Sequence, residues 1–427
     1  MRTFVLADRR TTRHALTLSF SSRFALSIVW ITLGACGGET TIVDPATAVS
    51  KVAISAAYTS LAVGSTIQLT AEATNAAGTI LVGKTVNWAS SRPDVATITS
   101  LGLVMGKATG IAVITATSEG RSGSLTLTVQ APNTITLTSD VGDYIGQGAA
   151  YSYTNASAII RVTANASSIG LSISGDQAWT ATFQAQSGAQ LATGVYSNAT
   201  RFPFQGGGPG LSWSGEGRGC NTLTGFFIID SLSWTAGPAS PLLALDLRFE
   251  QHCEGGAAAL HGTIHWRADD PTTPPGPVTP PANLWQPPAG ATPTTGNFVY
   301  LQSEQGDYIG AGAVNLYQTG ITVSVTGARI AISVGGYNST FQGMNSITEL
   351  KAGYYGNLMR YPFNNPARGG FDWSGNGRGC NELLAWFVID RVNYVNGLFA
   401  GVEARFEQHC DGLNPALHGA IRWGQLS

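Results

Sequence analysis

Short runs that alternate apolar and polar residues fill the chain from about residue 50 onwards. In 245–253, for example, Leu, Leu, Phe, Gln and Cys alternate with Asp, Arg, Glu and His. Successive side chains of a strand point to opposite faces, so this period of two predicts half-buried β-strands. Gly, Asn and Pro separate the runs, as expected at turns. The pattern predicts an all-β protein.

The composition agrees with many strands joined by tight turns. Only 11% of the 427 residues are charged, against roughly 25% in an average globular protein. Few residues therefore remain for the solvated faces of helices. The length favours several domains over a single core.

The charge balance argues against a nucleic-acid partner. Five of the 23 basic residues and one of the 25 acidic residues precede Cys36, which leaves 18 basic and 24 acidic residues after it. Binding to nucleic acid depends largely on neutralising phosphates with Lys and Arg. We therefore expect no nucleic-acid partner.

The N-terminus resembles a bacterial lipoprotein signal peptide. Arg-bearing residues are followed by a mostly apolar run, Phe24–Leu33, and then by Gly34, Ala35 and Cys36. The resemblance implies that residues 1–35 are removed, that Cys36 is acylated and that 36–49 form a lipidated tether. It also implies the outer membrane or cell surface, because Asp does not follow the cysteine. The alternative is a transmembrane anchor, but the run has about half of the ~20 residues needed.

Residues 50–130 resemble the bacterial Ig-like domain, group 2. The segments that carry the resemblance are Val63–Ser65, Gln68–Ala71, Val86–Ser91, Val95–Ile98, Gly102–Val104 and Ile114–Ser118. The resemblance implies a β-sandwich in which Trp88 fills the space between two sheets. It implies a spacer without catalytic residues, with direct ligand contact as the alternative.

The rest of the chain contains one module twice, at 135–267 and 297–427, which we call the first and second modules. The matching segments are Gly142–Gly146 and Gly306–Gly310, Arg201–Phe204 and Arg360–Phe363, Trp213–Asn221 and Trp373–Asn381, and Arg248–Cys253 and Arg405–Cys410. Nine prolines lie in the linker, 268–296. At ~3.1 Å per residue such a linker could extend by roughly 90 Å. We therefore expect the modules to be independent of each other.

Each module contains two cysteines in a chain that we expect to be exported. The economical pairing is Cys220 with Cys253 and Cys380 with Cys410, and metal binding is the weaker alternative because no CxxC spacing occurs. The predicted fold is thus an Ig-like β-sandwich followed by two tandem, disulfide-bonded β-sandwich modules of jelly-roll type.

The end of each module is predicted to be a β-hairpin with one apolar and one polar face. We predict that Cys253 lies opposite Leu260 and His252 opposite His261, because both apolar faces then agree. In the second module the same register places Cys410 opposite Leu417 and His409 opposite His418. The cysteines then point away from the polar face.

That polar face is the first candidate site. Its residues are Glu250, His252 and His261 in the first module and Glu407, His409 and His418 in the second. One interpretation is a stabilising ladder in which Arg248 and Arg405 pair with the glutamates. The others are contact with an organic ligand, and a metal site made of two imidazoles and a carboxylate. We predict no metal and no cofactor.

The glycine-rich segment before the first cysteine of each pair is the second candidate. Its Trp and Arg, Trp213 with Arg218 and Trp373 with Arg378, suit sugars and carboxylates if they face solvent. The alternative is a rigid turn whose arginine binds local carbonyl groups.

Other acidic residues point weakly to catalysis. Asp143 and Asp307 lie in Gly-Asp-Tyr turns, where carboxylates usually cap backbone amides. Asp230 with Glu250 is the one pair that we consider for a glycosidase. We find no nucleophile elbow and no zinc-protease helix, so we predict that the chain is not an enzyme.

The sequence therefore predicts a non-catalytic surface lipoprotein. An Ig-like spacer would present two binding modules to an extracellular carbohydrate or, as the next choice, a protein, and the duplication would increase avidity. The membrane would be contacted through the lipid alone. The alternatives are a structural subunit of an envelope complex and a metal-dependent hydrolase that uses the Glu/His face.

Overall fold

The described part of the chain consists of strands, turns and loops. This computed structural model describes residues 46–238 and 240–426, so the predicted signal peptide, Cys36 and most of the tether lie outside the described residues. Among the described residues, no helix has the length and apolar character needed to cross a membrane. The predicted all-β class is confirmed.

Nine strands form the first domain in three small sheets. They are β1 (Lys51–Ser55), β2 (Ser60–Ala62), β3 (Thr66–Gln68), β4 (Thr70–Thr74), β5 (Asn87–Ser90), β6 (Ala96–Ile98), β7 (Leu103–Gly106), β8 (Gly110–Ser118) and β9 (Arg121–Gln130). The sheet orders are β1-β4, β2-β9-β8-β5 and β3-β7-β6. Leu61, Val104 and Ile114 are fully buried between them. Trp88 is partly buried and packs against both apolar clusters of the domain.

The first module is one ten-stranded sheet. Its strands are β10 (Thr134–Ser139), β11 (Ala150–Thr154), β12 (Ile159–Ala164), β13 (Ser168–Ser174), β14 (Ala178–Gln184), β15 (Gly194–Arg201), β16 (Gly210–Gly215), β17 (Leu223–Trp234), β18 (Leu242–Cys253) and β19 (Ala259–Arg267). The order is β11-β10-β19-β18-β17-β15-β16-β14-β13-β12. Within this sheet, β15 and β16 run parallel to each other.

The second module repeats this sheet strand for strand. Its strands are β20 (Phe298–Ser303), β21 (Val314–Tyr317), β22 (Thr322–Thr326), β23 (Arg329–Val334), β24 (Tyr337–Gln342), β25 (Gly353–Arg360), β26 (Gly370–Gly375), β27 (Leu383–Val395), β28 (Leu398–Cys410) and β29 (Ala416–Gly424). The order is β21-β20-β29-β28-β27-β25-β26-β24-β23-β22. The internal repeat of the sequence is therefore also a repeat of topology.

Each sheet curls around its own aromatic core. In the first module Trp213 stacks on Phe249 with ring centroids 5.0 Å apart, and in the second module Trp373 stacks on Phe406 at 4.8 Å. The disulfides join Cys220 to Cys253 and Cys380 to Cys410, and all four cysteines are buried. The predicted pairing is confirmed.

The predicted register of the final hairpins is wrong by two residues. Gln251 lies opposite Leu260 and His252 opposite Ala259, and the second module shows the same shift. Glu254 takes a positive φ after Cys253, and its carboxylate accepts the N–H of Thr222. The chain beyond Cys253 is thus held beside the disulfide loop and does not pair with β19. A shift of two preserves the faces, so the cysteines still point away from the polar side.

The modules are not independent, which corrects the expectation of an extended spacer. The linker residue Val278 exchanges two backbone hydrogen bonds with Tyr354 of the second module. Between the modules, Asn365 donates to the Ser157 carbonyl at 2.9 Å, and Arg368 pairs with Asp176 at 3.0 Å. The prolines favour an extended backbone, but the apolar and hydrogen-bonding groups between them attach it to a module.

Candidate functional site

The structure brings the three predicted polar residues of the first module together. Glu250 lies opposite His261, with its Oε2 atom 3.4 Å from His261 Nδ1. Its Oε1 atom is 3.0 Å from Nε2 of His252, which lies two residues further along the same face. Asp140 completes the group, because its Oδ1 atom is 3.5 Å from His261 Nε2. A hydrogen bond from the Ala259 N–H holds the pKa of Asp140 below its usual value.

The ladder interpretation predicted that the two arginines pair with the glutamates, but both arginines pair with aspartates instead. Arg248 Nε donates to Asp230 at 3.1 Å, and Arg405 Nε donates to Asp390 at 2.8 Å. An irregularity in β17 after Ile229 turns the Asp230 side chain towards the arginine. Asp230 is thus held in an ion pair rather than facing Glu250 across a substrate.

A cleft of about 240 Å³ lies beside this cluster on the outer face of the first module. We call it the first cleft. Its lining comprises Thr136, Thr138, Phe226, Arg248, Phe249, Glu250, His261, Gly262 and Thr263. The first cleft therefore offers a positive group, a negative group, an imidazole and an aromatic wall on four adjacent strands.

The second module builds the same cluster in a more buried form. His418 Nδ1 is 3.2 Å from Glu407 Oε2, and its Nε2 is 3.3 Å from Glu304 Oε1. The hydrogen bond to His418 lowers the pKa of Glu407 to about 2, with burial acting against it. Burial acts to lower the pKa of His418, but its two glutamate partners outweigh this and raise it. His409 also reaches Glu407, at 3.3 Å.

The corresponding cleft of the second module, the second cleft, is covered by the linker. The Trp285 ring stacks on His418 with centroids 4.9 Å apart and planes 12° apart. Arg405 donates to the Trp285 carbonyl at 2.8 Å. Sequence reasoning missed this contact, although Trp285 is conspicuous as an aromatic residue in a proline-rich segment. It also missed Asp140 and Glu304, since only the pairing of β10 with β19 and of β20 with β29 brings them close.

The glycine-rich loop does not present its aromatic residue to solvent. Trp213 is 1% exposed and Trp373 is fully buried, so the prediction that they contact a ligand is wrong. Their strands place these rings on the inner face, where each stacks on a phenylalanine. Arg218 donates through Nε to the Ile145 carbonyl at 2.8 Å, and Arg378 is half-buried. In the first module the rigid-turn alternative describes the loop.

The Gly-Asp-Tyr turns use their carboxylates as caps. Asp143 Oδ2 accepts the N–H of Gly146 at 2.7 Å and the hydroxyl of Ser139 at 2.8 Å. Asp307 makes the same two contacts in the second module. In residues 46–238 and 240–426, no group of three or more His, Cys, Asp or Glu side chains is placed to hold a metal ion.

Comparison with known proteins identifies the first domain. Residues 48–129 match the bacterial Ig-like domain (group 2), so this segment is a domain of that family. Ice-binding protein 1 of Shewanella frigidimarina (strain NCIMB 400) is 36% identical over 104 residues, which are 24% of this chain and 12% of that protein. The match thus spans about an eighth of that relative's length. Both similarities are compatible with an extracellular or surface protein.

Proposed function

We propose that this chain is a non-catalytic surface lipoprotein that binds an extracellular protein through the first cleft. Cys36 carries the lipid, the Ig-like domain acts as a spacer, and the first module presents the cleft. The observation that carries the proposal is the difference between the modules: the first cleft is open, whereas a segment of polypeptide fills the second cleft.

A protein ligand is favoured over carbohydrate because of where the aromatic residues lie. The sugar hypothesis depended on Trp213 and Trp373, which are in the core. In the second module the occupant of the cleft is a peptide that uses a ring and a backbone carbonyl. The ice binding named for the Shewanella protein is not extended to this chain, because the match covers 12% of that protein.

A non-catalytic role is supported by the state of the acidic residues. Asp230 is engaged by Arg248, while Glu250 is in contact with two imidazoles. Neither carboxylate of the pair considered for a glycosidase is therefore free to act on a bond between them.

The test measures retention of the purified full-length chain on outer-membrane protein, on peptidoglycan and on lipopolysaccharide. We expect retention on the protein fraction that is lost after protease treatment and reduced by Arg248→Ala. Arg161→Ala, an exposed arginine of β12 in the same module, is the matched control and should have no effect. Retention that depends on periodate-sensitive sugar, or no retention at all, would contradict the proposal. Labelling with a radioactive fatty acid that disappears in Cys36→Ala tests the anchor.

A further inference from the structure

Both modules place the same charged groups at the same point of the sheet. The corresponding residues are Glu250 and Glu407, His261 and His418, and Arg248 and Arg405. In each module the glutamate lies directly opposite the histidine on the neighbouring strand. Each arginine also holds an aspartate through Nε and Nη2. What fills the second cleft therefore indicates which chemistry the first cleft can accept.

The occupant of the second cleft is an extended segment that presents a tryptophan. The Trp285 ring stacks on His418 at 4.9 Å and lies parallel to Tyr300 at 6.4 Å, with an interplanar angle of 9°. The Trp285 carbonyl accepts a hydrogen bond of 2.8 Å from Arg405 Nη1, the nitrogen that the aspartate leaves unused. Prolines precede and follow this residue in the linker. An aromatic ring and one backbone carbonyl are thus the two features that are recognised.

The first cleft has the same groups without the cover. The His261 side chain is 42% exposed and that of His418 is 8% exposed. The Arg248 side chain is 55% exposed and that of Arg405 is 16% exposed. The volume of about 240 Å³ is below the ~300–1,000 Å³ of typical small-molecule sites. One large side chain of a longer ligand suits this space better than a complete small molecule.

We propose that the first cleft binds an extended, proline-flanked peptide segment of another protein that places a tryptophan ring on His261 and a backbone carbonyl on Arg248. This inference rests on the proposed function and names the chemistry of its ligand. It also reduces the two expected binding sites to one, because the second cleft is occupied by the chain itself.

The segment comes from a different protein rather than from a second copy of this chain. The linker is held on its own second module on both sides of Trp285. Val278 exchanges backbone hydrogen bonds with Tyr354, and the Thr294 carbonyl accepts a hydrogen bond of 2.7 Å from Arg422. These contacts keep the linker from reaching the first cleft of a neighbouring molecule.

The floor of the first cleft is more polar than that of the second. Thr136 and Thr263 stand at the positions of Tyr300 and Ala420 and are hydrogen-bonded to each other. A peptide bound in the first cleft therefore lacks the second aromatic contact. Because it is not tethered covalently, it also loses more entropy on binding than the linker does. We expect an intermolecular complex that is weaker than the contact within the second module.

The experiment titrates the purified full-length chain with a synthetic peptide of residues 283–288, by calorimetry. We expect saturable binding of one peptide per chain. A peptide with alanine in place of tryptophan should bind about tenfold more weakly, since it loses the ring stacking. Arg248→Ala and His261→Ala should each weaken binding about tenfold, whereas Arg161→Ala should leave it unchanged.

Three results would overturn the inference. The first is equal affinity for the tryptophan and alanine peptides, and the second is no binding at 1 mM peptide. The third is dimerisation of the unmodified chain that Arg248→Ala abolishes, which would make a second copy the occupant. The proposed function has its own test. If only the peptide chemistry is wrong, retention on envelope protein should still depend on Arg248. Thermal unfolding and circular dichroism confirm that each variant is folded.

Discussion

Replacing Gln251 by leucine should destabilise the first module more than any other change of a single amide side chain on the same sheet. Gln251 is fully buried. Its Oε1 accepts the Trp213 N–H at 2.8 Å, and its Nε2 donates to the Trp213 carbonyl at 2.9 Å. Strand β16 pairs with β15 at Gly210 and Leu211 only. The side-chain amide of Gln251 therefore takes the place of a missing strand partner at Trp213.

The magnitude follows from the two backbone groups that the substitution leaves without partners. Leucine has a similar volume, so the cavity is small. A buried donor or acceptor that loses its partner costs about 1–3 kcal/mol. Gln251→Leu should thus lower the free energy of unfolding by about 2–6 kcal/mol. For a module of this size, each 1 kcal/mol corresponds to a fall of about 3–5 °C in Tm.

The assay combines thermal unfolding with hydrogen exchange at the Trp213 amide. We expect a fall in Tm of about 6 °C or more and loss of protection at Trp213. Gln408→Leu should repeat the effect in the second module, where Gln408 makes the same two contacts with Trp373. Gln186→Leu changes an exposed glutamine of the first module and should stay within about 0.5 kcal/mol of the unmodified chain. A loss below 1 kcal/mol in Gln251→Leu would refute the reasoning.

Three further predictions concern stability. A Cβ at Gly262 would lie 2.1 Å from Cε1 of the buried Phe249 ring, so Gly262→Ala should lower the free energy of unfolding by about 1–3 kcal/mol. Gly207 has open space around it, so Gly207→Ala should be neutral in the same denaturant titration. The cysteines of the first disulfide are 33 residues apart, so replacing both by alanine should lower the free energy of unfolding by about 3.5–4 kcal/mol through chain entropy. An unchanged unfolding midpoint would contradict this. The pKa of Glu407 in the folded protein is about 2, below its usual value of 4.5, so its contribution is complete above pH 4.5 and is lost as the pH falls towards 2. Because the Glu407 side chain is about a quarter exposed, the loss of unfolding free energy should be about 1–3 kcal/mol. Glu407→Gln should remove that part of the pH dependence in unfolding experiments between pH 7 and 2. Identical pH profiles for the two proteins would contradict the assignment of this pH dependence to Glu407.

The sequence alone was sufficient for the features that depend on local order along the chain. The alternation of residues in 245–253 predicted strands and their faces, because side-chain direction in a strand depends only on position. The repeat predicted two equivalent modules and, with the cysteine count, the pairs Cys220–Cys253 and Cys380–Cys410. The segments around Trp88 predicted the Ig-like domain. A shift of the hairpin register by two residues left all of these predictions intact, because it does not exchange the faces.

Only the tertiary structure decided which groups meet. The sequence around Trp213 does not show whether its ring is buried or exposed. Its burial depends on Phe249, which lies on another strand. The partner of His261 includes Asp140, more than 100 residues away, because β10 pairs with β19. The linker was predicted to be a spacer because its prolines set the local backbone, whereas its path depends on the contact between Trp285 and His418. Local patterns determine strands and faces, but long-range packing determines which cleft is covered and which is left open.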